Sequence, residues 1–87
     1  MDAAVTGTEL SRLRWRCRRG LLENDLLLER LFSRSAPITQ AEATGLCALM
    51  DLADNDLLDL FLGRGEPAAA LDRPEVHQVL AAVRAAR

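Results

Sequence analysis

Apolar residues recur along this chain at intervals of three and four, the spacing that places side chains on one face of an α-helix. Five segments show the pattern, and the stretches between them contain glycine, proline, aspartate or serine. The apolar positions, segment by segment, are Leu10, Leu13, Cys17 and Leu21; Leu27, Leu28, Leu31 and Phe32; Leu46, Leu49, Met50 and Ala53; Leu57, Leu58, Phe61 and Leu62; and Val76, Val79, Leu80 and Val83. The pattern predicts an all-α, compact bundle of about five short helices.

The composition agrees with that fold. Hydrophobic residues make up 49% of the chain and charged residues 28%, a balance typical of globular proteins. Aromatic residues are only 3%, whereas leucine and alanine, both strong helix formers, are abundant. Because 87 residues suffice for one domain at most, we expect residues 1–87 to form a single helical domain, with residues 1–7 as a loose N-terminal tail.

Capping signals mark where the helices begin. In a capping box, two residues three positions apart each accept, through the side chain, a hydrogen bond from the backbone amide of the other. Three pairs have this spacing: Thr6 with Glu9, Thr39 with Glu42, and Asp72 with Glu75. Thr8 is an alternative cap for the first helix, and Asp54 is the predicted N-cap of the fourth. Pro74 suits the first turn of the fifth helix.

Glycines and the second apolar run set the remaining expectations. Gly20 stands where the first helix is expected to end, and Gly63 with Gly65 should close the fourth. A second helix is predicted from about residue 21 to residue 33, and Leu22 and Leu26 add a second apolar edge to it. That width indicates a central helix contacted by several others. Gly45, inside the third helix, marks a close approach between helices.

Charge excludes some classes of function. The formal net charge of −2 argues against a general nucleic-acid binder, which would be strongly basic. Lysine is absent, and five of the arginines lie within eight positions: Arg12, Arg14, Arg16, Arg18 and Arg19. Four acidic residues cluster further on, at Asp51, Asp54, Asp56 and Asp59, but they lack the spacing of a calcium-binding loop. Helix capping explains them better than a cation site does.

Candidate catalytic and metal-binding residues are sparse. Cys17 and Cys47 each lie within a predicted helix, without a CxxC pair, and are expected to be buried thiols. His77 has no acidic or cysteine partner at a useful spacing and is expected at the surface. Neither a nucleophile–base pair nor a phosphate-cradling glycine loop is visible, so we expect neither an enzyme nor a stably bound cofactor.

The stretch around Trp15 is the most informative part of the chain. On a helix, Trp15 falls opposite Leu10 and Leu13, and arginines flank it. An exposed tryptophan ringed by arginines has the composition of an interaction hot spot. The alternative is that Trp15 packs on a neighbouring helix beneath arginine stems. Gly20 is either a plain C-cap or a point of close backbone approach, and Glu23 lies on the polar side of the second helix.

A family resemblance emerges from the same residues. The run Arg19-Gly20-Leu21-Leu22-Glu23 resembles the RGxxE motif of the succinate dehydrogenase flavinylation factor family, and Trp15-Arg16-Cys17-Arg18-Arg19-Gly20 is similar to its W-x-C-R-R-G start. Further along, Asp54-Asn55-Asp56-Leu57 resembles a D-x-D-L helix entry, and Gly65-Glu66-Pro67 resembles G-K-P. The resemblance covers roughly residues 10 to 80. The chain departs from the family at Asn55, where proline is common, and at Leu60, where many members have tryptophan.

The resemblance implies a bundle of about five helices that acts as an assembly factor. The implied partner is the flavoprotein subunit of succinate dehydrogenase, or of the related fumarate reductase, to which FAD becomes covalently attached. The implied partner-binding residues are Trp15, Arg16, Arg18, Arg19, Gly20 and Glu23. Arg19 and Glu23 would make charge-assisted contacts, and Gly20 would allow close approach. FAD would be held by the partner and not by this chain.

Two other functions remain open from the sequence: a small arginine-rich nucleic-acid-binding module and an antitoxin-like regulatory protein. The acidic balance counts against the first, and only kinship suggests the second. No apolar run approaches the length of a membrane span, and no secretory signal is visible, so we expect no membrane insertion and a bacterial cytoplasmic location. A monomer is favoured over a homodimer.

Overall fold

Five α-helices form the chain in a computed structural model that describes residues 3–18 and 21–86. In chain order they are α1 (Gly7–Arg16), α2 (Leu22–Ser33), α3 (Gln40–Leu49), α4 (Asp54–Leu62) and α5 (Pro74–Ala85), with a 3-10 turn at Ala69–Leu71 before the last. The β-structure found within the described residues is an isolated antiparallel bridge between Ala4 and Thr39. The all-α prediction is confirmed.

One continuous hydrophobic cluster lies between the helices. Its most deeply buried members come from α2, α3, α4 and α5, and they are Leu31, Leu46, Leu49, Leu57, Phe61, Val76, Val79, Leu80 and Val83. All of them were predicted from the helical spacing. Leu60 is buried as well, although it lies outside the predicted apolar face of α4. Cys17 is buried as expected, whereas Cys47 is only half-buried.

The most extensive helix–helix contact joins α3 to α5. Gly45 is buried in this contact and faces the backbone of Glu75, so the predicted close approach is confirmed. The segment expected to be a loose tail also contacts this half of the molecule. The amide of Val5 donates to the carbonyl of Ile38 at 2.9 Å, and the amide of Gln40 donates to the carbonyl of Ala3 at 2.8 Å.

Two of the three predicted capping boxes form. Thr6 with Glu9 begins α1 and Thr39 with Glu42 begins α3, each with both reciprocal hydrogen bonds. The prediction that Asp54 is the N-cap of α4 is wrong, because Ala53 has the extended N-cap conformation and Asp54 is the first helical residue. The Asp54 carboxylate therefore lies in the first turn, where its negative charge interacts favourably with the positive end of the helix dipole.

The capping box predicted for α5 is also wrong. Its N-cap is Arg73, with Pro74 at the first helical position as expected, and no side chain caps the first turn. Asp72 lies one residue too early to cap. Its carboxylate instead contacts His77, with 2.7 Å between Oδ1 and Nε2.

The helix end that the glycines predict is correct for α4 and wrong for α1. Gly63 ends α4 in the left-handed conformation, with φ of 77°. The end predicted for α1, at Gly20, is too late, because the helix ends at Arg16 and the amide of Arg18 donates to the carbonyl of Trp15 at 3.2 Å. Leu21 is extended, so α1 and α2 are not one continuous helix.

Candidate docking surface

A groove with a cavity volume of about 620 Å³ runs between α1 and α2. We call it the α1–α2 groove, and its principal walls are Arg14, Trp15 and Arg18 on one side and Leu22, Leu26 and Glu29 on the other. Phe32 lies at one end of it. The helix α1 ends at Arg16 and α2 begins at Leu22, so the groove lies between the end of one helix and the start of the next.

The walls of the groove expose large apolar side chains. Trp15 is 74% exposed, Leu22 66% and Leu26 49%, and these are the exposed large hydrophobic side chains among the described residues. Clustered, exposed apolar side chains with charged neighbours are typical of sites that bind another protein.

The expectation that Leu22 and Leu26 form an edge of the core is therefore wrong. Successive residues of a helix are about 100° apart, so Leu22 is about 180° from Leu31, the centre of the buried face of α2. Leu26 lies close to Leu22 on that outer side. The buried residues of α2 are Asn24, Leu27, Leu28 and Leu31, which lie on the opposite side of the helix.

Trp15 extends into solvent, and this resolves its two interpretations in favour of exposure. The guanidinium of Arg18 lies 5.6 Å from the centroid of the tryptophan ring, within the range of a cation–π contact. The arginine stem thus accompanies the ring without burying it against a neighbouring helix. The pair presents a flat apolar face with a positive charge beside it.

Arg14 links the two walls of the groove. Its Nη2 donates to both carboxylate oxygens of Glu29, at 3.0 and 3.2 Å, and its guanidinium lies 5.4 Å from the centroid of the Phe32 ring. Both partners of this ion pair are about half-exposed, so the pair contributes little to stability. It nevertheless joins α1 to α2 across the groove.

The predicted site residues fall into three groups. Trp15 and Arg18 lie together in the α1–α2 groove. Arg16 is exposed but lines a separate, smaller groove of about 240 Å³ beside α3, and Glu23 is exposed at the first turn of α2. Arg19 and Gly20 lie outside the described residues, so their predicted roles stay predictions.

Sequence reasoning missed Asn24. Its side chain is fully buried in the first turn of α2, and its Nδ2 donates to the carbonyl of Asp54 at 3.0 Å. Asn24 lies seven residues before Leu31, about two helical turns, which places both on the same face. That spacing is the signal that could have identified it.

The prediction that His77 has no acidic partner is wrong, because Asp72 lies in contact with it across the start of α5. Both side chains are exposed, and the surface position predicted for His77 is confirmed. Within residues 3–18 and 21–86, no three His, Cys, Asp or Glu side chains are grouped so that they could hold a metal ion. In the same part of the chain, no helix combines the length and the apolar character that crossing a membrane requires.

Residues 11–87 match the family model described as flavinator of succinate dehydrogenase. The chain belongs to this family. The resemblance carried by the RGxxE-like run is thereby confirmed, and the match includes the whole α1–α2 groove.

Several bacterial relatives carry the name FAD assembly factor SdhE. The chain is 51% identical to the one from Ralstonia nicotianae over 76 residues, which cover 86% of this chain and 80% of the relative. It is 39% identical to the one from Pseudomonas aeruginosa over 74 residues, 84% and 88% of the two chains. With the one from Coxiella burnetii the identity is 38% over 60 residues, 68% and 73%. No solved structure matches the chain significantly.

Proposed function

We propose that this protein is an assembly factor that binds the flavoprotein subunit of succinate dehydrogenase and promotes covalent attachment of FAD to it. The observation that carries the proposal is membership of the flavinator family over residues 11–87, with relatives named FAD assembly factor up to 51% identical. The flavoprotein of the related fumarate reductase is a second proposed partner.

The proposed docking surface consists of the α1–α2 groove and the motif residues beside it. Its centre is apolar, with Trp15 and Leu22 both mostly exposed, and charged side chains such as Arg18 and Glu29 line the same groove. Glu23 is exposed next to Leu22 in the sequence. Protein interfaces commonly have this arrangement, because apolar side chains release water on binding while charges at the rim select the partner. Arg16, Arg19 and Gly20 complete the proposed set through their place in the motif.

The proposed mechanism is positional. The bond between protein and flavin would form inside the partner's own site, with FAD held there and no cofactor held stably by this chain. The factor would contribute by binding the partner in a conformation that brings the flavin and its acceptor side chain together. Holding two reacting groups in a productive geometry can remove a large part of a reaction barrier. On this proposal the protein is no enzyme in its own right.

The arginines do not support the nucleic-acid alternative. Arg14 is paired with Glu29, Arg18 lies over Trp15, and Arg16 faces another groove, so the described arginines form no single basic stripe. Phosphate backbones are bound by such stripes. The family match likewise does not favour an antitoxin-like regulator. The proposal includes a bacterial cytoplasmic location and a monomer.

Deletion of the gene tests the proposal directly. After denaturing electrophoresis only covalently bound flavin stays with the flavoprotein subunit, so in-gel flavin fluorescence measures the attachment. We expect that signal to fall strongly in the deletion strain and to return with the wild-type gene. Trp15→Ala should fail to restore it, whereas Gln78→Ala, an exposed change on α5 outside the groove, should restore it. Undiminished covalent flavin in the deletion strain would rule the function out.

A further inference from the structure

Asn24 combines complete burial with incomplete hydrogen bonding. Its side chain has no exposed surface, although it lies beside the exposed Glu23 in the first turn of α2. The Nδ2 group donates to the carbonyl oxygen of Asp54 at 3.0 Å, across 30 positions of sequence. The Oδ1 atom has no hydrogen-bond partner among the described residues. Because a carbonyl can only accept, the amide must turn its NH2 group toward Asp54, which leaves Oδ1 on the other side.

Stability alone does not account for an asparagine at this position. A buried polar atom without a partner destabilises the folded state, whereas an apolar side chain of similar size would not. Asn24 lies on the same face of α2 as Leu31 and Leu28, which both belong to the hydrophobic cluster. Leucine would therefore suit the fold at least as well. A different requirement must favour the amide.

We infer that this requirement is a fixed orientation of α2 relative to α4. Apolar side chains such as Leu27, Leu57 and Phe61 belong to the hydrophobic cluster between the helices. Hydrophobic contact is non-directional and tolerates small rotations of one helix against another. A hydrogen bond has a preferred distance and angle. The bond from Asn24 to Asp54 joins the first turn of α2 to the first residue of α4, so it fixes the rotation of α2 at the end that carries the motif.

We propose that Asn24 is a positioning residue: its hydrogen bond to the start of α4 fixes the direction in which Glu23 and Leu22 face the partner. The inference rests on the proposed function, since it concerns the same docking surface. It adds a residue that the partner does not touch. Asn24 acts only through the direction that it gives to Glu23 and Leu22.

The geometry makes such positioning necessary. Side chains extend about 5–6 Å from a helix axis, so a rotation of α2 by about 20° would move their tips by about 2 Å. Leu22 and Leu26 would then shift against Trp15, which is held on α1. Functional groups must be held within about 0.5 Å and 10–20° of their productive positions. A rotation of this size would therefore disrupt the surface while leaving the core intact.

The test compares Asn24→Leu with Leu57→Val, which weakens the same helix contact without touching the directional bond. Purified flavoprotein and FAD are titrated with each variant, and covalent flavin is measured together with the melting temperature. Asn24→Leu should melt at or above the wild-type temperature yet require on the order of ten- to a hundredfold more protein for half-maximal flavin attachment. Leu57→Val should melt lower and attach flavin like the wild type when folded. Wild-type behaviour of Asn24→Leu in the titration would overturn the inference.

Nuclear magnetic resonance supplies a readout that a purely structural role would not move. In the wild type, the Nδ2 protons of Asn24 should exchange slowly with solvent, and residual dipolar couplings should show α2 rotated against α4 in Asn24→Leu, with α3 and α5 unchanged. Fast exchange of these protons, or an unrotated α2, would contradict the proposal. If Asn24→Leu does not fold, Asn24→Ala takes its place in every measurement.

Glu23→Ala, measured alongside, separates the two claims. If it attaches flavin normally, the proposed docking surface is wrong, and the positioning role falls with it. If Glu23→Ala loses attachment while Asn24→Leu retains it, the docking surface stands and only the positioning role is wrong.

Discussion

Gly45 of α3 lies directly against the backbone of Glu75 in α5: a β-carbon added to Gly45 would stand 2.8 Å from the carbonyl carbon of Glu75. The same β-carbon would lie 2.9 Å from Cγ1 of Val79. Neither distance is compatible with van der Waals contact, and the first obstacle is backbone that cannot rotate away. The most extensive helix contact of the fold therefore depends on the absence of a side chain at one position.

Gly45→Ala should destabilise the protein although alanine is the better helix former. The gain in helix propensity is about 1 kcal/mol, whereas forcing α3 and α5 apart typically costs about 1–3 kcal/mol and disturbs the buried side chains around the contact. We expect a melting temperature several degrees lower, measured by circular dichroism. Gly7→Ala is the matched control, because a β-carbon at Gly7 would meet nothing within 4 Å. A rise in melting temperature for both variants would contradict the close contact.

Trp15 should report docking, since it is the only tryptophan of the chain and is 74% exposed. Burial against the partner would replace water around the ring with apolar side chains. With fluorine-labelled tryptophan in this protein alone, the single fluorine resonance should shift when unlabelled flavoprotein is added. The change in the fluorine chemical shift when H2O is replaced by D2O should be large in the free protein and small in the complex. A resonance unchanged by saturating partner would exclude Trp15 from the interface.

The helix starts show what local sequence does and does not determine. Thr6 with Glu9 and Thr39 with Glu42 could be predicted because a capping box depends on side chains three residues apart and on nothing else. Asp54 could not be assigned reliably, because aspartate stabilises a helix both as N-cap and within the first turn. A shift of one residue separates the two roles, and tertiary packing decides it.

In the candidate site too, local sequence determines some features and tertiary packing determines others. The exposure of Trp15 followed from its angle on α1, which is a property of one helix. The exposure of Leu22 and Leu26 depends on where α1 ends, and leucine suits a core and an interface equally well. Asn24 shares a face with Leu31, but only the position of the carbonyl of Asp54 in space explains why a polar side chain is tolerated there.

Glu9 should respond to pH in a defined direction. Hydrogen bonds from the backbone amide of Thr6 and then from its hydroxyl lower the pKa of the Glu9 carboxyl below its ordinary value of 4.5. Because the folded-state pKa is the lower one, the stabilisation is fully present above the unfolded value and is lost as the pH falls through the folded value. Melting temperature should therefore fall with acid, and the fall should be shallower in Glu9→Gln.

A titration of the Glu9 side chain by nuclear magnetic resonance checks the direction. The midpoint should lie below 4.5 in the wild type, and Thr6→Ala should raise it, since the hydroxyl donor is removed while the backbone amide of residue 6 remains. A wild-type midpoint at or above 4.5 would show that the capping box does not hold Glu9 in solution.

Glu23 and Glu42 are both glutamates near the start of a helix, yet their surroundings are opposite. Glu42 is 5% exposed, accepts a hydrogen bond from the amide of Thr39 and is paired with Arg34. Removing one partner of a buried ion pair costs about 3–5 kcal/mol, so Glu42→Ala should unfold or strongly destabilise the protein. Glu23 is exposed, and changes at such positions usually alter stability by about 0.5 kcal/mol or less.

Glu23→Ala should therefore keep its melting temperature within a few degrees and yet sharply reduce covalent flavin in the partner. Loss of an interfacial charged anchor typically costs about 2–5 kcal/mol of binding, at least about thirtyfold in affinity. In-gel flavin fluorescence of the denatured flavoprotein reads the outcome, and binding to the isolated flavoprotein gives the affinity. Glu66→Ala is the matched control, because Glu66 is an exposed carboxylate between α4 and α5, away from the groove. If Glu23→Ala attaches flavin as well as Glu66→Ala does, Glu23 is ordinary surface and the partner binds elsewhere on the bundle.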